Sequence, residues 1–400
     1  MAIPTQKRLY FEITRAIRDN GPISRAMVAR LLELNPSTVG RIVDDLLSFN
    51  LLHEIGQNQG NGAGRPSILL EFNTQINSVL TVDLRLTQAY AAITDLLGNV
   101  LAKSIQSLTV GDSQRSIQGL IDLIHRLLFS ADDFAPVGAI VIGAPSIVDV
   151  EKGVIEWASS FDWNNVPIKQ ILEDEFKTVV LVENDVNLAA LGEYWKGAGK
   201  GVKNNMIFVS VGTGIGAGII LNGELYRGGT HAAGEVAYFI TDVNVLRDNA
   251  GKIGSLENRV GREGLIRMAQ LVAQRYPASS LAELLSQNSK NIQTREILAL
   301  IEQNDVAASI VFNELVDALT IVICNASVLL DPEMVVLGGP SDWKWSTIIP
   351  AIQNRIGTSL LRPVHLMASQ LGNNALVMGG SYAALEVLPI LTRQEAILPQ

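Results

Sequence analysis

Apolar residues recur at helical spacing from the start of the chain. Leu9, Ile13 and Ile17 form a stripe that Phe11 and Ala16 fill, and Asn20-Gly21-Pro22 ends it. Ser24 suits the N-cap of a short helix through about Leu32. Leu34-Asn35-Pro36 reads as a turn, with Pro36 in the first turn of a helix that runs to about Phe49. The buried face of that helix is Val39, Ile42, Val43, Leu46 and Leu47. Helix, tight turn and helix at these lengths make a helix-turn-helix pattern. Residues 51–55 and 67–72 then read as two strands around a Gly-rich loop that closes on Arg65-Pro66, which makes a wing.

From about Asn73 strands and helices alternate. Residues 79–83, 89–94 and 100–104 read as strands and 117–129 as a helix. Strand 137–142 leads into Gly143-Ala144-Pro145, and strand 179–182 leads into Glu183-Asn184-Asp185. Strands 206–211 and 218–221 bracket a Gly-rich turn. This is an α/β architecture, with polar residues at strand ends, where such folds place ligands.

At 400 residues the chain is expected to hold two or three domains, at roughly 150 residues each. No apolar run approaches the ~20 residues of a membrane helix, and no apolar segment follows the charges at the N-terminus. A soluble, cytoplasmic protein with no membrane contact is expected. Cys324 stands alone, which excludes an internal disulfide.

The net charge of -9 is unevenly spread: residues 1–72 hold eight basic and seven acidic side chains. A near-neutral module on an acidic body fits double-stranded DNA only if its basic groups share a face. In a helix-turn-helix the second helix presents its N-terminal residues to base edges. Here those are Ser37, Thr38 and Arg41, with Arg25 and Arg30 flanking as phosphate contacts and Arg65 placed for a minor groove. A small protein-binding helical module is the alternative.

Four later stretches resemble the ROK family (repressors, open reading frames and kinases). They are Gly143-Ala-Pro-Ser-Ile-Val-Asp149, Val182-Glu-Asn-Asp-Val-Asn-Leu-Ala-Ala-Leu-Gly-Glu193, Val211-Gly-Thr-Gly-Ile-Gly-Ala-Gly218 and Gly229-Thr-His-Ala-Ala-Gly-Glu235. With the N-terminal module, the whole chain is similar to the family's xylose-type and N-acetylglucosamine-type repressors. The resemblance implies a winged helix-turn-helix over residues 1–72, followed by a two-lobed actin-like (ribonuclease H-like) sugar-kinase fold. The first lobe is expected at 73–190, completed by a C-terminal helix near 376–400, and the second at 191–375. A sugar cleft between the lobes and a homo-oligomer, dimer or tetramer, are also implied.

By the same resemblance Asn184, Asp185, Glu235 and Glu257 contact a sugar, with Asp185 at the position of the kinases' general base. Ionised carboxylates accept strongly from a ring of hydroxyls. Asp185 also suits a cap on the helix starting at Val186. Tyr238 stands where the family has a histidine, and Ser160 where it has an asparagine that helps hold sugar. Trp157 and Trp163 are expected in the core.

Two departures shape the functional expectation. Family kinases carry an Asp-x-Gly-Gly-Thr phosphate turn, whereas this chain reads Asp83-Leu84-Arg85-Leu86-Thr87. Side chains there block close backbone approach to phosphate. The family's zinc ligands are replaced by Tyr238, Asp248, Ala250 and Ser255, a set without thiolate or imidazole donors, so no metal is expected. The expectation is a sugar-responsive repressor with no cofactor, not an enzyme. An ATP-dependent sugar kinase with an accessory DNA module and a protein-docking body remain as alternatives.

Overall fold

The computed structural model describes residues 5–58, 67–130, 134–158, 161–241, 256–287, 292–339, 343–357 and 360–385.

The chain opens with α1 (Thr5–Asn20), β1 (Ile23–Ser24), α2 (Arg25–Leu31), α3 (Pro36–Ser48), β2 (Leu52–Asn58) and β3 (Ser67–Phe72). Ser24 caps α2 as expected, accepting from Met27 N at 3.3 Å. Asn35 caps α3, accepting from Ser37 N at 3.0 Å, with Pro36 in the first turn. The strands form one antiparallel sheet in the order β1-β3-β2. Ile13, Ile17, Val28, Val39, Ile42, Val43 and Leu46 are fully buried between helices and sheet. The helical spacing in the sequence therefore meets one core, and the module is a winged helix-turn-helix. Arg65 and the wing tip lie outside the described residues.

Two five-stranded sheets follow, built on one plan. The first joins β4 (Ser78–Arg85), β5 (Gln88–Asp95), β6 (Val100–Ser107), β7 (Val137–Ala144) and β11 (Val179–Asn184) in the order β11-β7-β4-β5-β6. The second joins β12 (Met206–Val211), β13 (Ile215–Leu221), β14 (Glu224–Leu225), β15 (Met334–Gly338) and β16 (His365–Ala368) in the order β14-β13-β12-β15-β16. Each has an antiparallel hairpin at one side and parallel strands at the other. Three short strands, β8 (Val148–Asp149), β9 (Val154–Ala158) and β10 (Trp163–Val166), form a separate antiparallel sheet. Helices α4 (Ser113–Phe129) and α5 (Ile168–Phe176) pack beside the first sheet.

Between the two large sheets lie α6 (Asp185–Lys196) and the C-terminal helix Ala375–Ala384. They approach at backbone distance because glycines face each other's carbonyls. A Cβ on Gly192 would sit 1.9 Å from Ala375 O, and one on Gly379 would sit 1.7 Å from Leu188 O. Glu193, fully buried, holds the end of α6 against the loop after β16. It accepts from Ala198 N at 2.7 Å, Ser369 Oγ at 2.5 Å and Leu371 N at 2.8 Å.

The 25-residue helix Val306–Leu330 is long and apolar enough to cross a membrane by length and composition alone, with mean hydropathy 1.9 over an 18-residue stretch, although Asn313, Glu314, Asp317 and Asn325 keep every unbroken apolar run in it short. Its Leu315, Leu319, Val322 and Ile323 pack in the core of the second lobe, and its Glu314 pairs with Arg259 at 2.9 Å. Its apolar character also extends beyond the buried face, since Val306, Val328 and Leu329 are exposed.

Candidate functional site

The cleft is organised where β11 runs into α6. Asn184 caps the helix, accepting from Val186 N at 2.9 Å and Asn187 N at 3.1 Å and donating to Ser146 O at 3.2 Å. The cap is thus Asn184, which corrects the expectation of Asp185 capping a helix that begins at Val186. Asp185 is the first helical residue, and its Oδ1 also accepts from Val186 N, at 2.9 Å.

Burial first, then the nearby charges of Asp83 and Glu235, push the Asp185 carboxyl up to about 7. Burial and then the Glu257 charge raise Glu235. Burial raises Asp83 too, although the Arg85 guanidinium opposes it. Four carboxyls from different elements therefore lie in series as electrostatic neighbours, Asp83 and Glu235 acting on Asp185 and Glu257 on Glu235. Such a cluster is costly to keep fully ionised and is rich in acceptors for hydroxyl donors.

Glu235 precedes a single 3-10 turn, Val236–Tyr238. Gly234 sets its approach at φ 90°, where a Cβ would lie 1.8 Å from Ala217 O. Tyr238 is 61% exposed and stands free of the core. Glu257 starts the short helix Glu257–Val260. Its Oε2 would lie 2.6 Å from a Cβ on Gly214, and Arg262 N donates to Gly212 O at 3.1 Å. The surviving Gly-rich loop thus gives Glu257 room and support. Ser160, and the positions Asp248, Ala250 and Ser255, lie outside the described residues.

At the end of β4, Arg85 and Leu86 occupy the positions where the family's kinases have glycines. Arg85 Nε donates to Asp83 Oδ2 at 2.7 Å, its guanidinium lies 5.4 Å over the Tyr90 ring, and Leu86 follows at the turn.

Sequence reasoning missed Glu183. It is 5% exposed and accepts from Asn184 N and Asn187 Nδ2, each at 2.9 Å, and from Arg227 Nε at 2.7 Å. It ties the first turn of α6 to the segment that leads to Glu235. The only signal was an acidic residue inside an apolar strand. The expectation for the tryptophans divides: Trp163 is buried and donates to Ser116 Oγ at 2.7 Å, whereas Trp157 is 67% exposed. Trp157 stands outside the core although Ile155, two residues before it on β9, is fully buried.

In the DNA module, Ser37 and Arg41 are exposed on α3, with Thr38 beside them and Arg30 exposed on α2. The Arg41 guanidinium lies 3.3 Å from the Tyr10 hydroxyl and 3.7 Å from Asp45. Arg25 bridges Asp44 at 2.7 Å and Glu54 at 3.2 Å. That ion pair, unforeseen in the sequence, joins α2 to α3 and to β2.

Residues 79–387 match the profile of the ROK family. The chain belongs to the ROK family. A xylose repressor from Caldicellulosiruptor bescii is 28% identical over 381 residues, covering 92% of each chain. A solved ROK family transcriptional regulator, described as a homolog of the E. coli MLC protein, superposes with TM-score 0.81 at 24% identity, covering 97% of this chain and 99% of its own. A ROK family glucokinase from Streptomyces griseus, solved with glucose and AMPPNP, gives TM-score 0.64 at 26% identity, covering 77% of this chain and 99% of its own. The fold is the two-lobed actin-like one.

Proposed function

We propose that this ROK protein is a DNA-binding transcriptional repressor that senses a small carbohydrate in its cleft without phosphorylating it. The β4–β5 turn carries the reading: the sugar side of the cleft keeps Asn184, Asp185, Glu235 and Glu257, while Arg85, paired with Asp83, and Leu86 replace the glycines of a phosphate turn. Full-length similarity to a xylose repressor supports it and makes D-xylose the first effector to test. Ser160 and Tyr238 complete the sugar contacts in this reading, and no metal or cofactor takes part.

Residues 1–72 bind the operator. Ser37, Thr38 and Arg41 read bases, Arg30 and Arg25 meet phosphates, and Arg65 enters a minor groove. For Arg25 that requires exchanging Asp44 or Glu54 for a phosphate. The first lobe takes 73–190 with the C-terminal helix, and the second takes 191–375. The protein acts in the cytoplasm as a homo-dimer or tetramer, since operators of such modules are two-fold. The effector favours one lobe arrangement through differential affinity for the two states.

A second reading, an ATP-dependent sugar kinase, is favoured by Asp185, whose carboxyl at about 7 suits a general base.

The test is DNA affinity. The full chain selects a duplex from a random-sequence library, and its Kd is measured by anisotropy with and without D-xylose or D-glucose. A sugar-dependent change of at least about fivefold is expected. Selective duplex binding that no sugar alters contradicts the sensor.

A further inference from the structure

Helix α6 joins the two halves of the proposed function physically. Its first turn carries Asp185 in the cleft, and its last turn carries Tyr194, Trp195 and Lys196. Twelve residues make a rod of about 18 Å.

The far end of the rod meets the DNA module. Trp195 Nε1 donates to Asp19 Oδ1 at 3.0 Å. The Arg18 guanidinium lies 4.4 Å over the Trp195 ring and 5.4 Å over that of Tyr382. Arg15 lies 5.7 Å over Tyr194 and 5.8 Å over Tyr382. Arg15, Arg18 and Asp19 all belong to α1, the helix against which α3 packs.

Arg18 is the unusual member. Its side chain is 1% exposed, its Nε donates to Asp19 Oδ1 at 2.7 Å, and both terminal nitrogens are buried without hydrogen-bond partners. A buried guanidinium in this condition is held by ring faces and one carboxylate, against a large desolvation cost. A contact so finely balanced is sensitive to small movements of the rings. Both rings sit on one closely packed helix pair, because Gly192 and Gly379 bring α6 into backbone contact with the helix that carries Tyr382.

We propose that α6 transmits cleft occupancy to the DNA module, and that Arg18, held between Trp195 and Tyr382, is its output contact. The proposal rests on the sugar-responsive reading above. A sugar that draws on Asn184 and Asp185 shifts the first turn of α6, and the rigid helix pair carries the shift to α1. Arg18 touches neither sugar nor DNA in this scheme. It is a positioning residue whose role is coupling.

Arg18→Met keeps the aliphatic stem and removes the charge. Arg18→Lys keeps the charge and removes the planar stack. Both are compared with the full-length wild type for sugar Kd by calorimetry and for Kd of the library-selected duplex, with and without saturating D-xylose or D-glucose. In the wild type the sugar changes DNA affinity by at least about fivefold. In Arg18→Met the change shrinks to less than about twofold while sugar Kd stays within about threefold. Arg18→Lys falls between, and it decides the matter alone if Arg18→Met does not fold. An undiminished sugar effect in the variants overturns the relay and leaves the sensor reading intact. Lost sugar binding in the variants also overturns it, since Arg18 then acts on the cleft itself. A wild type that binds sugar and DNA independently overturns both relay and sensor.

Discussion

Arg85 Nε lies 2.7 Å from Asp83 Oδ2, an ion pair along β4, and Arg85 and Leu86 stand where the family's kinases carry adjacent glycines. Phosphate recognition by a turn depends on bare backbone N–H groups approached closely. With Arg85 and Leu86 there, Mg-ATP should produce no sugar-dependent ADP release. A coupled assay with D-xylose and with D-glucose checks this. Turnover above the enzyme-free blank with either sugar would restore the kinase reading.

Asp185 gives a pH signature. Its carboxyl is raised from 3.8 to about 7, so the folded state holds the proton more tightly than the unfolded chain. That contribution to stability is fully present below pH 3.8 and is lost as pH rises through about 7. Asp185→Asn removes the ionisation. Measured relative to wild type, its unfolding free energy should gain about 2–4 kcal/mol between pH 4 and pH 8 in the absence of sugar. Urea melts at the two pH values read the difference. An unchanged difference means that Asp185 does not titrate in this range. Sugar hydroxyls that donate to the carboxylate favour its ionised form, so binding near pH 6.5 should release protons, seen as a buffer-dependent calorimetric heat.

Glu193 is a structural carboxylate. Replacing it with alanine leaves Ala198 N, Ser369 Oγ and Leu371 N without their acceptor inside the protein. A loss of about 3–5 kcal/mol in denaturant melts is expected, with Glu193→Gln losing less. A loss below about 1 kcal/mol would mean that water reaches this junction.

On α3, Arg41→Ala should reduce the preference for the selected duplex over random DNA by about 1–3 kcal/mol. Arg30→Ala should weaken both duplexes alike and lower the salt slope by about 1. Anisotropy titrations across a salt series separate the two roles. A change in sequence preference from Arg30→Ala, with none from Arg41→Ala, reverses the assignment.

The winged module was legible because its signals are local. The stripe from Ile13 to Ile17, the cap at Ser24 and the strand Ser67–Phe72 each depend on neighbours in sequence. Strand β1 was not legible, since two residues carry no alternation and pair only through the distant Leu69 and Leu70. In the cleft the sequence pointed to Asp185 and Glu235 through motifs, and the structure brings their charges together. The contacts that organise the cleft were hidden. Glu183 meets Arg227 across 44 residues, and Trp195 meets Asp19 across 176. No periodicity encodes such partners, because packing of separate elements decides them.

The most direct test of the central claim is the melting temperature of the purified full chain against a panel of sugars, each with and without Mg-ATP. A ligand that binds the native state raises the melting temperature by mass action. The account predicts a rise with at least one sugar, unchanged by Mg-ATP, and none with Mg-ATP alone. A rise with Mg-ATP alone, or a sugar shift that requires it, contradicts a sensor whose phosphate turn has lost its glycines to Arg85 and Leu86.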